Sequence, residues 1–285
     1  MMEKVIRNNT RYIIFAIIAS ILLVISNSAI WVNQYIFDTG NFTSVTTKAL
    51  LSDSSRNALG DEVVDQAFSS HPALESIIGD KASALIAAIL GTSLANTAIT
   101  KVVTFAQTEV TSSNPKTISF DLSGVKQTVS NIIGITGISQ SQLPDVNIPN
   151  QITLINGKNI PHFYKIGTAM LWIAPIAFLI ALGLFIWPHY KRRTVDSKLL
   201  IIQGAIVIIA GLLAYLIGPL FRPPLLAHVS DSNLRVVVQN IYNAFIATFN
   251  SQTDWIIILG VLMVIAGIIV LLIKNYHVYS RIMSR

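Results

Sequence analysis

The sequence predicts an all-α membrane protein, in which four transmembrane helices carry a mainly helical extracytoplasmic domain with room for one short two-stranded ribbon. Three observations predict it. First, only 12% of the 285 residues are charged, 52% are hydrophobic, and the mean hydropathy is +0.61; soluble domains carry roughly 25% charged residues. Second, the apolar residues gather in four charge-free runs, Tyr12–Val32, Ile166–Trp187, Leu199–Phe221 and Trp255–Ile273. Each is close to the roughly 20 residues a helix needs to cross about 30 Å of hydrocarbon. Inside lipid, a helix satisfies its own backbone polar groups. Third, Lys and Arg are segregated. The short segments 1–11, 188–198 and 274–285 hold ten of the 20 basic residues and only two of the 14 acids, Glu3 and Asp196. Their net charge of about +8 places both termini and the central loop in the cytoplasm.

In chain order, residues 1–11 read as a basic cytoplasmic leader and 12–32 as the first span, an uncleaved signal anchor because its apolar run is long for a signal peptide. Trp31 and Tyr35 then fall where an interfacial aromatic belt is expected. Residues 33–165 form the extracytoplasmic helical domain. There Asn41 is the expected cap of a helix ending at Leu51, and Ser52 or Asp53 the cap of a second ending at Phe68. Leu59, Val63 and Phe68 are expected inside, with Asp61, Glu62 and Asp65 on the wet side. Pro72 suits the first turn of a short helix to Ile78. A long helix is expected over Asp80–Thr111, burying Leu85, Ile86, Ile89, Leu94 and Val102.

The charge-free stretch Ala82–Thr100 has the length of a fifth span. Its Thr92, Ser93, Asn96 and Thr97 make it a marginal one, and a fifth crossing would turn Lys191-Arg192-Arg193 outward against the charge bias. An amphipathic helix of the outer domain is therefore preferred. Thr117–Leu122 and Gln151–Ile155 alternate as short strands. A helix to about Ile133 and a loop over Gly134–Pro149 are expected between them.

The second span, 166–187, enters after His162-Phe163-Tyr164-Lys165 and carries Pro175, which should kink it. A basic cytoplasmic loop, 188–198, follows. The third span, 199–221, is expected to stop at Arg222-Pro223-Pro224. The extracytoplasmic loop 222–254 holds an amphipathic helix, Ser232–Phe249, with Leu234, Val238, Ile241, Tyr242, Phe245 and Phe249 on its apolar face. The fourth span is 255–273, and 274–285 is a cytoplasmic tail.

Small residues recur at every seventh position in the spans: Gly167, Ala174 and Ala181; Gly204, Gly211 and Gly218; Gly260 and Gly267. Such a repeat keeps one seam toward a partner helix and lets backbones approach closely. The partner helix can lie in the same chain, or in a second copy through Gly204, Gly211 and Gly218.

Chemistry is scarce in the pattern. The spans hold no Asp, Glu, Lys, Arg or His, which argues against a proton-coupled transporter. The five histidines, His71, His162, His189, His228 and His277, have no metal-ligand spacing. Asp61, Glu62 and Asp65 fit no calcium loop, and no phosphate loop, nucleophile elbow or zinc-protease motif occurs. Asn41-Phe42-Thr43 matches a glycosylation sequon, which matters only in a eukaryotic secretory pathway. With no cysteine, the outer domain folds without disulfides. No catalytic, cofactor-binding or metal residue is assigned, no cofactor and no nucleic acid is expected, and the protein is not expected to be an enzyme.

Phe37-Asp38-Thr39-Gly40-Asn41-Phe42, followed by Leu50-Leu51-Ser52-Asp53-Ser54-Ser55-Arg56-Asn57-Ala58-Leu59, resembles the start of a family of bacterial four-span integral membrane proteins. These carry an FDT-x-x-F segment after the first span and a large helical extracytoplasmic loop. Ile118–Val125 resembles that family's strand-to-helix piece. Arg56-Asn57 departs from it by replacing an apolar position. The resemblance implies bacterial origin and the four-span layout, and implies no activity.

The expectation is a multi-pass plasma-membrane protein of the bacterial envelope. Its role would be non-enzymatic, with an envelope protein partner bound through residues 33–165. The alternative is a small oligomeric transporter or channel for a lipid or hydrophobic solute, with a polar cavity lined by Asn27, Gln203 or Tyr215.

Overall fold

The protein is described by a computed structural model, which covers residues 2–69, 72–113, 118–121, 151–155, 163–193 and 196–283. Among the described residues, four helical stretches are each long and apolar enough to cross a membrane, at Thr10–Phe37, Phe163–Arg192, Ser197–Leu226 and Ser232–Tyr276; the pair Gly79–Leu90 and Ser93–Thr111, bent by 75°, reaches that length only if taken together. The chain is an all-α, multi-pass membrane protein. It forms two compact units, one of residues 1–34, 168–224 and 245–285, the other of residues 35–167 and 225–244.

In the membrane unit, α1 (Met2–Trp31) runs into a π-helical segment, Val32–Phe37. Helix α6 (Phe163–Arg192) does not end at Trp187: it continues through Pro188 for another turn, so the basic loop shrinks to the few residues before Asp196. Arg193, in the left-handed region at φ 53°, terminates it. Asp196 then caps α7 (Ser197–Ala214), its carboxylate accepting the N–H groups of Lys198 at 3.1 Å and Leu199 at 3.4 Å.

The third span is broken into α7 and α8 (Ile217–Leu226). Pro219 explains the break, since it has no N–H for the carbonyl of Tyr215 four residues earlier. Arg222-Pro223-Pro224 does not stop the helix as expected; both prolines lie inside α8. The amphipathic helix and the fourth span are likewise not separate. Asn250 to Asp254 stay helical, and Ser232–Met283 is one helix, α9, of 52 residues, about 78 Å long at 1.5 Å per residue.

Alanines pack the centre of this unit. Ala16, Ala19 and Leu23 of α1 meet Ala181 and Phe185 of α6, Val207 of α7 and Ile256 of α9. The glycine seams close within the chain. A β-carbon on Gly204 would lie 2.6 Å from the Gly260 carbonyl oxygen, and one on Gly260 2.8 Å from the Gly204 oxygen. Gly211 faces Ile257, Gly218 faces Ile246, and Gly267 faces Ile201. The carbonyl of Ala174 accepts the Ser26 hydroxyl at 2.8 Å. Gly204, Gly211 and Gly218 therefore all face α9 of the same chain. Ile17, Ile21, Leu171, Leu179, Leu212, Leu262 and Leu272 stand exposed around this core, as side chains solvated by hydrocarbon do.

In the second unit, α2 (Thr39–Leu50) is capped by Asp38, whose carboxylate accepts the Asn41 N–H at 2.7 Å. The expected cap, Asn41, lies inside the first turn, because the acid three residues earlier complements the helix N-terminus better. Helix α3 (Asp53–Phe68) is capped by Ser52. Its buried face is Ser55, Ala58, Gly60 and Val64, while Val63 is exposed and Leu59 and Phe68 are half-buried. The face is rotated from the expected one because α3 meets α4 through small residues: a β-carbon on Gly60 would sit 2.6 Å from the Ser83 carbonyl oxygen.

Helix α4 runs unbroken from Pro72 to Leu90, past the expected end at Ile78. The long Asp80–Thr111 helix is instead two, α4 and α5 (Ser93–Thr111), bent by 75° at Gly91-Thr92. Ser83, Ala87, Val103, Gln107 and Glu109 are the buried positions. Leu85 and Leu94 are exposed, and Ile86, Ile89 and Val102 are only half-buried. Strands β1 (Ile118–Asp121) and β2 (Gln151–Ile155) pair antiparallel, with Asp121 opposite Gln151 and Phe120 opposite Ile152. The helix to Ile133, the loop 134–149, His71 and His162 lie outside the described residues.

Candidate functional site

The three side chains expected to line one polar cavity do not meet. The Asn27 amide donates to the Thr253 hydroxyl at 3.4 Å, and the Asn27 carbonyl accepts from Gln252 at 3.1 Å. These bonds tie α1 to α9. Beside them Trp31 donates from Nε1 to the Thr248 hydroxyl at 2.9 Å and stacks edge-on against Phe249 at 5.4 Å. Trp31 thus packs between α1 and α9. The Tyr215 hydroxyl donates to the Asp254 carboxylate.

Gln203 alone of the three lines a cavity, of about 400 Å³, between α1, α6, α7 and α9. It is 1% exposed. Its Nε2 donates to the Phe185 carbonyl at 3.2 Å, and its Oε1 lies 3.1 Å from His189 Nε2. The backbone N–H of Asp196 donates to His189 Nδ1 at 3.4 Å, which leaves the ring proton on Nε2, directed at Gln203. His189, Asp196 and Gln203 thus form one line of hydrogen bonds across the α6–α7 turn. In the sequence His189 reads as a boundary aromatic. The seven-residue spacing of 189, 196 and 203 is the only signal that could have joined them. The same turn is held by the Arg192–Asp196 ion pair, with the Arg192 guanidinium 4.7 Å above the Tyr12 ring.

In the second unit, α2 and α5 meet through polar groups. Thr43 and Thr104 hydroxyls lie 3.1 Å apart, and Thr39 donates to Gln107 Oε1 at 2.8 Å. Gln107 Nε2 donates to the carbonyls of Ile36 and Phe37 at 3.1 and 3.2 Å. Those carbonyls end a helix and lack intrahelical donors, so Gln107 fills a need that the helix end creates.

Helix α3 also meets the N-terminal part of α9. Asn233 donates to Asp65 at 3.0 Å, and Asn240 to the Ser54 and Ser55 hydroxyls at 2.7 and 2.9 Å. The acids expected to be a solvated face are partly engaged here. Ser83 donates to Asp61, Gln66 donates to Glu62 at 2.6 Å, and Glu62 faces Asp231. Burial pushes the Glu62 carboxyl up, and the Asp231 and Asp65 carboxylates add to the effect against the Gln66 amide. Asp231 is held down chiefly by the Leu234 N–H, which it accepts at 2.8 Å as the cap of α9, and by the proton of Glu62. Among the described residues no group of three or more His, Asp or Glu is placed to hold a metal ion.

The corner between α4 and α5 exposes apolar side chains. Leu94 is 82% exposed and Leu85 42%, while Phe105, 43% exposed, lies about 18 Å along α5 from its start. Thr92 fixes the corner: its hydroxyl accepts the Ala95 N–H at 3.3 Å and donates to the Ile89 carbonyl at 2.7 Å. The Arg56 guanidinium lies against Gly91, where a β-carbon would displace it. A cation there complements the carbonyl end of α4. Compared with protein families, curated proteins and solved structures, the chain matches none of them.

Proposed function

We propose that this is a non-enzymatic interaction protein of the bacterial plasma membrane, which binds another envelope protein through the α4–α5 corner of its second unit. The observation that carries the reading is that corner: Leu94 held in the open by a capped, 75° bend, with exposed Leu85 within two turns of it on α4. Monomeric surfaces scatter single apolar residues, but an uncharged stretch from Ala82 to Thr100 around a fixed bend is a surface built to be covered. Exposed Thr92, Ser93, Asn96 and Thr97 interleave with the leucines. That mixture suits a protein interface, with an apolar centre and a hydrogen-bonding rim, better than hydrocarbon.

The charge bias supports cytoplasmic termini and an extracytoplasmic second unit. The hydrogen bonds of α3 to α9 support four crossings: a lone crossing by residues 82–100 would put Asp65 and Asn233 on opposite faces of the bilayer, against their 3.0 Å bond. The test is a photo-crosslinkable residue at Leu94 of the full chain in native membranes, with Thr108 (exposed on α5) as control. A discrete protein adduct from position 94, absent from 108 and lost in Leu85→Glu, is expected. Lipid adducts alone, or equal labelling at both positions, overturn the reading.

A further inference from the structure

We infer that the α6–α7 turn is a docking surface for the headgroups of anionic phospholipids. Arg11, Lys191, Arg193 and Lys198 stand exposed there, and none of them has an ion-pair partner among the described residues. The packing gathers them. The Arg192 guanidinium rests on the Tyr12 ring, which brings Arg11 of α1 beside the end of α6. The Asp196 N–H reaches His189, and the Asp196 carboxylate accepts the Lys198 N–H, which brings the start of α7 to the same place. Asp196 is the only acid between residues 188 and 198, and it is engaged by its own cap and by Arg192. Like charges gathered without a counter-ion repel one another, so this surface calls for anions from outside the chain.

Their position along the helix selects the anion. Ile186, exposed on a membrane-crossing helix, precedes Lys191 by about 8 Å. Trp187 and Tyr190 stand exposed between them, and such aromatic rings favour the headgroup level. The cations therefore sit at the depth of lipid phosphates and not out in solution, where a negatively charged leaflet attracts them. The backbone points the same way. Arg193 ends α6 in the left-handed region at φ 53°, with its N–H donating to the Tyr190 carbonyl at 3.1 Å. Glycine takes that conformation without strain, so a cation here occupies a place where the backbone by itself favours glycine.

The test uses the full-length protein with Tyr190→Cys, the only thiol in the chain, carrying a bimane label in phosphatidylcholine vesicles. A fixed fraction of the lipid is replaced by brominated phosphatidylglycerol or by brominated phosphatidylcholine. Quenching at position 190 should report a preference of roughly three- to tenfold for the anionic lipid, shrinking as salt is raised. The control is a label at Trp255→Cys, exposed beside the Ile256 that meets Gly211 at the other end of α7; it should show no such preference. Arg193→Lys should keep the preference. Arg193→Gly should weaken it without lowering the thermal midpoint, because the strain leaves with the charge. Lys191→Gln, Arg193→Gly and Lys198→Gln together should bring the two lipids to parity. Equal quenching by both lipids at position 190, the same preference at position 255, or a preference that survives the triple variant overturns the inference. Full displacement of the anionic lipid by soluble polyglutamate also overturns it, since that marks an acidic protein partner.

Discussion

At Gly204 and Gly260 the two backbones touch through their carbonyls, and no side chain fits between them. A β-carbon on Gly204 would also lie 2.8 Å from the Val264 backbone nitrogen, so relief must come from moving a helix and not a rotamer. Gly204→Leu is expected to destabilise the bundle by roughly 1–3 kcal/mol, the usual cost of overpacking, and to lower the thermal midpoint in detergent. Gly183→Leu is the control, since a β-carbon there meets nothing within 4 Å; equal losses at the two positions would refute the seam. The seven-residue repeat showed in the sequence that these glycines face a helix. Which helix they face did not, because spacing along one segment carries no information about its neighbour. His189 shows the same limit: its hydrogen-bond partners lie across a turn whose helix runs one turn beyond the last apolar residue.

Between elements, the contact of α3 with the start of α9 is polar and therefore tunable. Glu62 holds its proton more tightly in the folded protein than in the unfolded chain, owing to burial and the nearby Asp231 and Asp65 charges. Its contribution to stability is present at acidic pH and is lost as pH rises from the ordinary glutamate range through the raised folded value. Asp231 has the opposite sign: its contribution is present above its ordinary value and is lost as pH falls through the lowered one. The contact should thus be firmest in mildly acidic solution and looser at neutral pH. Arg235, which donates to the Val229 carbonyl at 2.9 Å, is the cation nearest Asp231 along the helix. Glu62→Gln keeps the hydrogen bonding without the charge. It should slow amide exchange of α3 and residues 232–240 at neutral pH and flatten its pH dependence; an unchanged pH profile would count against the carboxyl pair. The acids are legible in the sequence as one helix face, but Asp231 is 169 residues from Glu62, and only the fold pairs them.

For the molecule as a whole, the absence of cysteine makes sidedness directly measurable, because any introduced thiol is unique. Asn96→Cys in the second unit and Tyr190→Cys at the end of α6 are both exposed positions. An impermeant maleimide should label position 96 in intact cells, and position 190 only after permeabilisation. The reverse pattern would invert the proposed topology. Labelling of both positions from outside would mean that the segment between them crosses an even number of times.

The sequence by itself determined the fold class, four membrane helices, and the helical character of the segment after the first one. The reason is that the demand of lipid for apolar side chains and self-satisfied backbones acts on each segment alone. Capping chemistry is local as well, so Ser52 could be read as a helix start, although Asp38 displaced Asn41. Tertiary structure decided the rest. It bent Asp80–Thr111 into two helices where Gly91 and Thr92 end one ladder and start the next. It fused Ser232–Phe249 with the last span through five polar residues, two of which, Gln252 and Thr253, bond to Asn27. It turned α3 onto its small residues, because close approach to α4 outweighed burial of Leu59 and Val63. It also joined His189, Asp196 and Gln203 in one line of hydrogen bonds across the α6–α7 turn. These outcomes depend on contacts between segments far apart in the chain, and no pattern within a single segment specifies them.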